Sequence, residues 1–196
     1  MSRLLLWAAW VCSLLFGAPA QAEKAELTSL RVEHSDEGLF LTARVDFTLS
    51  PAVEDALLKG IPVHFVAEAD VMRERWYWYD RSVASAQRYM RIAYQPLTRR
   101  WRLSTSSEPV VNAGLGVSLT QNYDSLQEVL AAVQRIGRWK VATPAELEGG
   151  GRHMLRFGFR LDGSQLPRTL QLGTVGHSEW MISVERRIDL TQELNR

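Results

Sequence analysis

Regular alternation of apolar and polar residues is the feature that most constrains the fold of this chain. The alternating runs span 38–49, 61–71, 82–94, 99–104, 152–161 and 178–190. A period of two places every second side chain on one face, which is typical of a strand with one buried side. Turn-forming residues separate neighbouring runs, so that consecutive strands can pair antiparallel. The sequence therefore predicts a mainly β fold, an antiparallel β-sandwich with two short helices.

The two helices are predicted from residues that favour helix ends. Ser50 and Pro51 suit the start of a helix over 51–59, because a serine side chain can accept a hydrogen bond from a free backbone N–H. A second helix is predicted over 125–136, where a capping-box pattern precedes an apolar stripe at helical spacing. Gly137 is expected to end this helix.

The N-terminal segment has the layout of a cleavable secretory signal. Residues 4–16 form an uninterrupted run of apolar and small residues after a positively charged start, and small residues precede Glu23. This run is too short to span a bilayer comfortably, although an uncleaved anchor is the alternative. We therefore expect cleavage of residues 1–22 and a single β-rich periplasmic domain over 23–196. The only cysteine, Cys12, would leave with the signal, so that no disulfide is expected in the mature chain.

Charge is distributed unevenly along the expected mature chain. Residues 23–72 carry ten acidic and four basic side chains, a net charge of −6, whereas residues 73–102 carry eight arginines and two acids, a net charge of +6. In one interpretation the two segments neutralise each other across neighbouring strands. In the other, the arginines form a surface for an anion or a partner, since guanidinium groups suit carboxylate and phosphate geometry. Nucleic acid is not expected as a partner, because the mature chain is close to neutral and exported.

The most unusual local feature is a run of four aromatic residues among arginines. The residues proposed to bind a partner are Arg73, Arg75, Trp76, Tyr77, Trp78, Tyr79 and Arg81. On a strand, the two tryptophans would face one way, and the two tyrosines would face the other way with arginines. The tryptophans can fill the core while the arginines stack over exposed tyrosines. Alternatively, the run is a binding platform for a partner, a glycan or a lipid headgroup.

No catalytic residue, metal site or cofactor is predicted, and we expect a protein that is not an enzyme. The four histidines lack zinc-ligand spacing, and His64 is expected to point outward from its strand. His177 and Ser178 stand side by side next to a carboxylate, but adjacency in sequence is not triad geometry. Glu68 and Asp70 are expected to share an exposed strand face as solvated acids.

Several stretches in a fixed order resemble a known family. They are 73–80, 94–101, 125–136, 161–167 with Leu170-Gln171, and Trp180. Together they resemble a proteobacterial family of exported proteins, domain of unknown function 4390, over nearly the whole mature chain. The family has no established activity, so the resemblance implies no catalytic residues. The chain departs from the family after Trp180, where charged residues replace an expected second tryptophan-rich stretch.

The genes of this family often lie beside the gene of a membrane sensor kinase similar to nitrogen-regulation kinases. The resemblance therefore implies a Gram-negative periplasmic location and a link to signalling. Our leading hypothesis is a non-enzymatic interaction module whose arginine–aromatic face contacts a membrane sensor kinase or another envelope protein. It would associate with the membrane only through that partner. The alternative is a carrier or sensor of a small apolar or anionic ligand between the sheets, and a cell-envelope hydrolase is a third hypothesis.

Overall fold

Two antiparallel sheets make up most of the structure, which is a computed structural model. The described residues are 25–74, 81–108, 118–148, 151–166 and 180–194. The strands are β1 Glu26–Ser35, β2 Gly38–Asp46, β3 Val63–Arg73, β4 Arg81–Gln95, β5 Arg100–Ser106, β6 Leu119–Tyr123, β7 Arg135–Ala142, β8 His153–Leu161 and β9 Ser183–Asp189. The helices are α1 Pro51–Leu58, α2 Leu126–Val133, α3 Pro144–Leu147 and α4 Thr191–Leu194, with a 3-10 turn at Gly163–Gln165. The predicted antiparallel β-sandwich is confirmed.

The smaller sheet has the strand order β1-β2-β7. Its first two strands form a hairpin in which Ser35 pairs with Gly38. Gly38 has a φ of 126°, and a Cβ atom at this position would lie 2.2 Å from the carbonyl oxygen of Ala142 on β7. Glycine is therefore required both by the turn and by the close approach of β7 to β2.

The larger sheet has the strand order β6-β5-β4-β3-β8-β9, so that β3 has a partner on each side. Strands β3, β4 and β5 form an antiparallel meander. The alternating residues from Phe65 to Val71 point toward the smaller sheet and are buried. The register of β3 with β4 shifts between Val71 and Met72, at the position where the alternation in the sequence slips.

Three phenylalanines join the two sheets in the core. Phe65 on β3 and Phe159 on β8 stack with 5.7 Å between their ring centroids. Phe47, just beyond β2, lies 5.2 Å from Phe65 and 5.5 Å from Phe159. Aromatic rings at these separations attract each other in addition to the stabilisation that burial supplies. Apolar side chains of both sheets and of α1 and α2 belong to the same buried cluster.

Both predicted helices are present, and both begin at the predicted caps. The Ser50 hydroxyl accepts a hydrogen bond from the Val53 N–H, and the Ser125 hydroxyl accepts one from the Glu128 N–H. These bonds satisfy backbone donors that have no partner within the helix. No helix within the described ranges is long and apolar enough to cross a membrane.

The second helix is shorter than predicted. It ends at Val133, and the chain continues directly into β7. The Gln134 carbonyl accepts a hydrogen bond from the Val45 N–H at 2.9 Å, and this contact with the smaller sheet ends the helix. Ile136 is buried as predicted, but it is an inward residue of a strand, and Gly137 lies within the same strand.

The last strand is also shorter than predicted. It spans Ser183–Asp189, so that Trp180 precedes it, while residues 178 and 179 lie outside the described ranges. The short helices α3 and α4 were not predicted. The sequence does contain a signal for α3, because Thr143 and Glu146 have the spacing of a capping box. In the structure, the N–H and the hydroxyl of Thr143 donate to the Glu146 carboxylate at 2.7 and 2.8 Å.

Truncation of Phe65 tests its central place in the core. Phe65→Ala removes a fully buried ring that packs against two others, and the pairing of β3 on both sides prevents the cavity from closing. We expect the free energy of unfolding, measured by urea denaturation, to fall by about 3–5 kcal/mol. The control is Leu97→Ala at a fully exposed turn residue, which should change it by less than about 0.5 kcal/mol. Equal effects of the two substitutions would contradict this description of the core.

Candidate functional site

Ion pairs cover part of the outer face of the larger sheet, the face that points away from the smaller sheet. Asp70 on β3 accepts hydrogen bonds from Arg156 on β8 at 2.6 and 3.3 Å. Glu68 on β3 accepts from Arg160 on β8 at 3.1 Å. The two acids share a strand face, as predicted, but the expectation of solvated acids is wrong, because each is partly buried and is bound by an arginine of β8.

The predicted neutralisation between residues 23–72 and residues 73–102 is wrong for the described part of the chain. No salt bridge there joins the two segments, because the acids of β3 pair with arginines of β8 and not of β4. Arg100 pairs instead with Asp124, at 3.0 Å. Arg88 of β4 lies instead over the Trp139 ring of the smaller sheet, with its Cζ atom 5.1 Å from the ring centroid.

Two arginines face each other where β3 ends and β4 begins. Arg73 is the register partner of Arg81. The guanidinium group of Arg73 is held by neutral groups: Nη2 donates to the Glu148 carbonyl oxygen at 2.6 Å, and Nε donates to Nε2 of His153 at 3.4 Å. Arg81 is exposed and forms no salt bridge with the described residues. At this end of the sheet Arg73 and Arg81 are therefore direct register partners, and Glu74, the acid next to Arg73, pairs with Arg152 at 3.6 Å.

His153 lies beside this arginine pair and is 3% exposed. Burial lowers the pKa of His153, and the charge of Arg73 lowers it further, while a hydrogen bond with the backbone of Gly151 acts in the opposite direction. A neutral imidazole has one nitrogen that can accept a hydrogen bond, as Nε2 does from Arg73. The lowered pKa and the geometry therefore agree, and His153 positions Arg73.

Of the residues predicted to bind a partner, the structure describes Arg73 and Arg81 and brings them together. Strand β3 ends at the first of these arginines, and β4 begins at the second. Outside the described residues lie Arg75, Trp76, Tyr77, Trp78 and Tyr79, and also His177 and Ser178.

A cavity of about 410 Å³ lies at the other end of β3, on the outer face of the larger sheet. We call it the His64 cavity. Its lining includes His64, Tyr89, Arg91, Arg160 and Asp162. The register of β3 and β4 places His64 beside Arg91, and the Asp162 N–H donates to the His64 carbonyl at 2.7 Å. Three strands and the turn after β8 therefore build this cavity together.

The His64 side chain has an unusual polar environment. Its Nδ1 atom is buried and has no hydrogen-bond partner among the described residues. Burial lowers the pKa of His64, Arg91 lowers it further, and Asp162 acts in the opposite direction. Buried polar atoms in proteins almost always have a partner, so this unpartnered nitrogen is an exception within the described part of the structure.

Sequence reasoning missed this group of residues. The outward direction of His64 was predicted and is confirmed, but His64 was given no role, and Tyr89, Arg91 and Arg160 were not associated with it. The only local signal was a histidine on the polar face of a strand, and the partners come from other strands. In the described ranges, no cluster of three or more His, Cys, Asp or Glu side chains is placed to hold a metal ion.

The lowered pKa values of His64 and His153 predict that acid destabilises the protein. The ordinary pKa is 6.5, and folding lowers it at both residues. Below pH 6.5 these two histidines bind protons more readily in the unfolded chain than in the folded protein. The free energy of unfolding therefore decreases as the pH falls from 6.5 toward their lowered pKa values. His64→Gln removes one such group, so its unfolding free energy should fall less steeply with acidification than that of the unmodified protein.

Urea denaturation at several pH values between about 7 and 5 measures this slope, a range in which histidines titrate and carboxylates largely do not. The control is His34→Gln, at an exposed histidine of β1, which should leave the slope unchanged. A slope in His64→Gln as steep as in the unmodified protein would contradict the prediction.

Comparison with known proteins identifies the family. A family model described as Domain of unknown function (DUF4390) matches residues 22–189, a span that includes every strand of both sheets in the described ranges. No match was found among curated proteins or among solved structures. The resemblance inferred from the sequence is confirmed at the level of the family. The chain belongs to the family that shares this domain of unknown function, DUF4390.

Proposed function

We propose that this chain is an exported, non-enzymatic interaction module of the bacterial cell envelope. It contacts a membrane partner through the segment from Arg73 to Arg81, which contains the aromatic run. The observation that carries this proposal is the direct pairing of these two arginines across β3 and β4. Export, the partner and the link to signalling are parts of the same proposal.

The arginine pair is unfavourable for folding and favourable for binding. Like charges directly opposite each other on neighbouring strands destabilise a sheet by up to about 1 kcal/mol. An acid at the exposed position of Arg81 would relieve this repulsion, yet an arginine stands there, and with Arg75, Glu74 and Asp80 the segment 73–81 has a net charge of +1. Residues that lower the stability of the folded protein are expected mainly at functional sites. The positive charge is therefore explained by a partner that supplies the missing negative charge.

The chemistry of the segment indicates what the partner offers. Arginine forms paired hydrogen bonds with carboxylates, and arginine, tryptophan and tyrosine supply much of the binding energy in many protein interfaces. Residues 76–79 place two tryptophans and two tyrosines between the arginines. We expect an acidic partner surface with an apolar centre. The extracytoplasmic part of a membrane sensor kinase, suggested by the family resemblance, is the first partner to test, and the module reaches the membrane through it.

Release of the exported protein from the membrane requires removal of residues 1–22, which can be tested by blocking cleavage. Ala22→Arg places a large charged side chain where signal peptidase requires a small one, whereas Gln21→Arg places it at the neighbouring position that is not read. We expect the unmodified protein and Gln21→Arg to start at Glu23 in the periplasmic fraction. Ala22→Arg should keep residues 1–22 and stay with the membrane. Intact mass of each fraction gives the result, and an unmodified protein that keeps residues 1–22 in the cytoplasm would refute export.

The partner-binding role is tested by reversing the charge at Arg81. Arg81→Glu places an acid opposite Arg73, so the free energy of unfolding should stay the same or rise by up to about 0.5 kcal/mol. Capture of the partner should fall at least fivefold, because the acid repels a negatively charged surface. Capture is measured by photo-crosslinking in living cells with the probe at Tyr77 and Tyr79 in turn.

Arg31→Glu is the matched control, since it makes the same charge change at an exposed arginine of the smaller sheet and should leave capture unchanged. A discrete adduct with a membrane protein, lost in Arg81→Glu and kept in Arg31→Glu, supports the proposal. Equal capture by the two variants, or no adduct from either probe in a folded and exported protein, rejects it.

A further inference from the structure

We propose that two copies of this chain join at β6, with the β6 strand of one copy pairing antiparallel with the β6 strand of the other. Strand β6 is the last strand on one side of the larger sheet. Through β5 it lies beside the Met90–Tyr94 part of β4, about 30 Å along that strand from Arg81. The inference goes beyond the interaction module and does not depend on it.

Strand β6 differs from the other edge strands in charge. The edges of the two sheets in the described part of the chain are β1 and β7, and β6 and β9. Charged residues and bulges on an edge strand oppose its pairing with another chain. No residue of β6 is charged, and its register with β5 has no bulge. The other three edges carry charged residues: Glu26, Arg31 and Glu33 on β1, Arg135, Arg138 and Lys140 on β7, and Glu185, Arg186, Arg187 and Asp189 on β9.

The free side of β6 presents both backbone and apolar groups. Every second residue of an edge strand has its N–H and C=O directed away from the sheet, and among the described residues β6 pairs only with β5. Leu119 is 64% exposed, although it shares a face with Tyr123, whose register partner Trp101 belongs to the core. A second strand would bind these backbone groups and cover Leu119.

The sequence of β6 is compatible with pairing to itself. A two-fold axis at Gln121 matches all five residues, so that Gln121 faces Gln121 of the second copy, Leu119 faces Tyr123, and Thr120 faces Asn122. No like charges face each other, and an aliphatic side chain opposite an aromatic one stabilises a sheet. The Gln121 side-chain oxygen accepts from the Tyr123 hydroxyl at 2.6 Å, and its second lone pair and its NH₂ group can pair with the amide of the second copy.

The same symmetry is unfavourable at the opposite edge of the larger sheet. A two-fold axis that matches all seven residues of β9 lies at Arg186, so that Arg186 would face Arg186 of the second copy. Like charges directly opposite each other destabilise a pair of strands. Self-pairing is therefore expected at β6 and not at β9.

The test is sedimentation equilibrium of the purified protein. Pairing of five residues buries less than the roughly 1,000 Å² expected of a stable interface, so we expect a reversible dimer with a dissociation constant of about 10–100 µM. Protein concentrations from about 5 to about 500 µM bracket this value. A protein that stays monomeric over the whole range rejects the proposal.

Charge changes at the two-fold axis assign the dimer to β6. Gln121→Lys and Gln121→Glu each place like charges opposite each other, so each should raise the dissociation constant at least tenfold. An equimolar mixture of the two variants should form dimers again, because a lysine then faces a glutamate. The matched control is Ser183→Lys, which adds the same charge at an exposed residue of β9 and should leave the dimer unchanged.

Urea denaturation checks that each variant is folded, which is expected because Gln121 is exposed. An undisturbed dimer in Gln121→Lys, an equal loss in Ser183→Lys, or a mixture that stays monomeric overturns the proposal.

Photo-crosslinking in living cells distinguishes a second copy from another occupant of this edge. With the probe at Thr120, an adduct of twice the mass of the chain supports the proposal. An adduct with a different protein alone overturns it, since the edge would then accept a strand of that protein. Partner capture by the segment from Arg73 to Arg81 is measured separately with the Arg81→Glu variant, so either proposal can fail alone.

Discussion

The register of β3 between β4 and β8 is the constraint on which the rest of the structure depends. A shift of one residue would turn the whole inward face outward, so that Phe65 would leave the core and acidic side chains would enter it. The same register sets His64 beside Arg91 at one end and Arg73 opposite Arg81 at the other. The packing of the core and the chemistry of both surfaces are therefore fixed by one set of strand pairings.

Local sequence patterns predicted the strands well because, in a strand with one buried face, apolar and polar residues alternate. The inward residues of β3 and β8 were predicted as a face, and the structure buries them around Phe65 and Phe159. The end of α2 could not be predicted in the same way. Ile136 fits the apolar stripe of a helix and also the inward face of a strand. The hydrogen bond between the Gln134 carbonyl and the Val45 N–H decides between them, and that contact depends on the tertiary structure.

For the candidate sites as well, residues close together in the sequence were predicted, whereas contacts between distant residues were not. Arg73 and Arg81 belong to one hairpin, and both were selected from the local sequence. The ionic partners were not predictable, because Asp70 and Arg156 are 86 residues apart and their pairing follows from β8 lying next to β3. The His64 cavity was missed for the same reason: its lining residues come from β3, β4, β8 and the following turn. One sequence does not specify which strands become neighbours, and that adjacency creates the cavity.

The two ends of β3 are chemically different, and the pairing of β3 within the sheet prevents a change at one end from moving the other. Coupling between two sites requires an element with at least two arrangements whose balance both sites influence. From Phe65 to Arg73, β3 is paired with β4 on one side and with β8 on the other, and its inward side chains pack into the core. Sliding or rotation of this strand would break pairings on both sides and disrupt the packing of Phe65. A change at one end of β3 is therefore not expected to reach the other end through movement of β3.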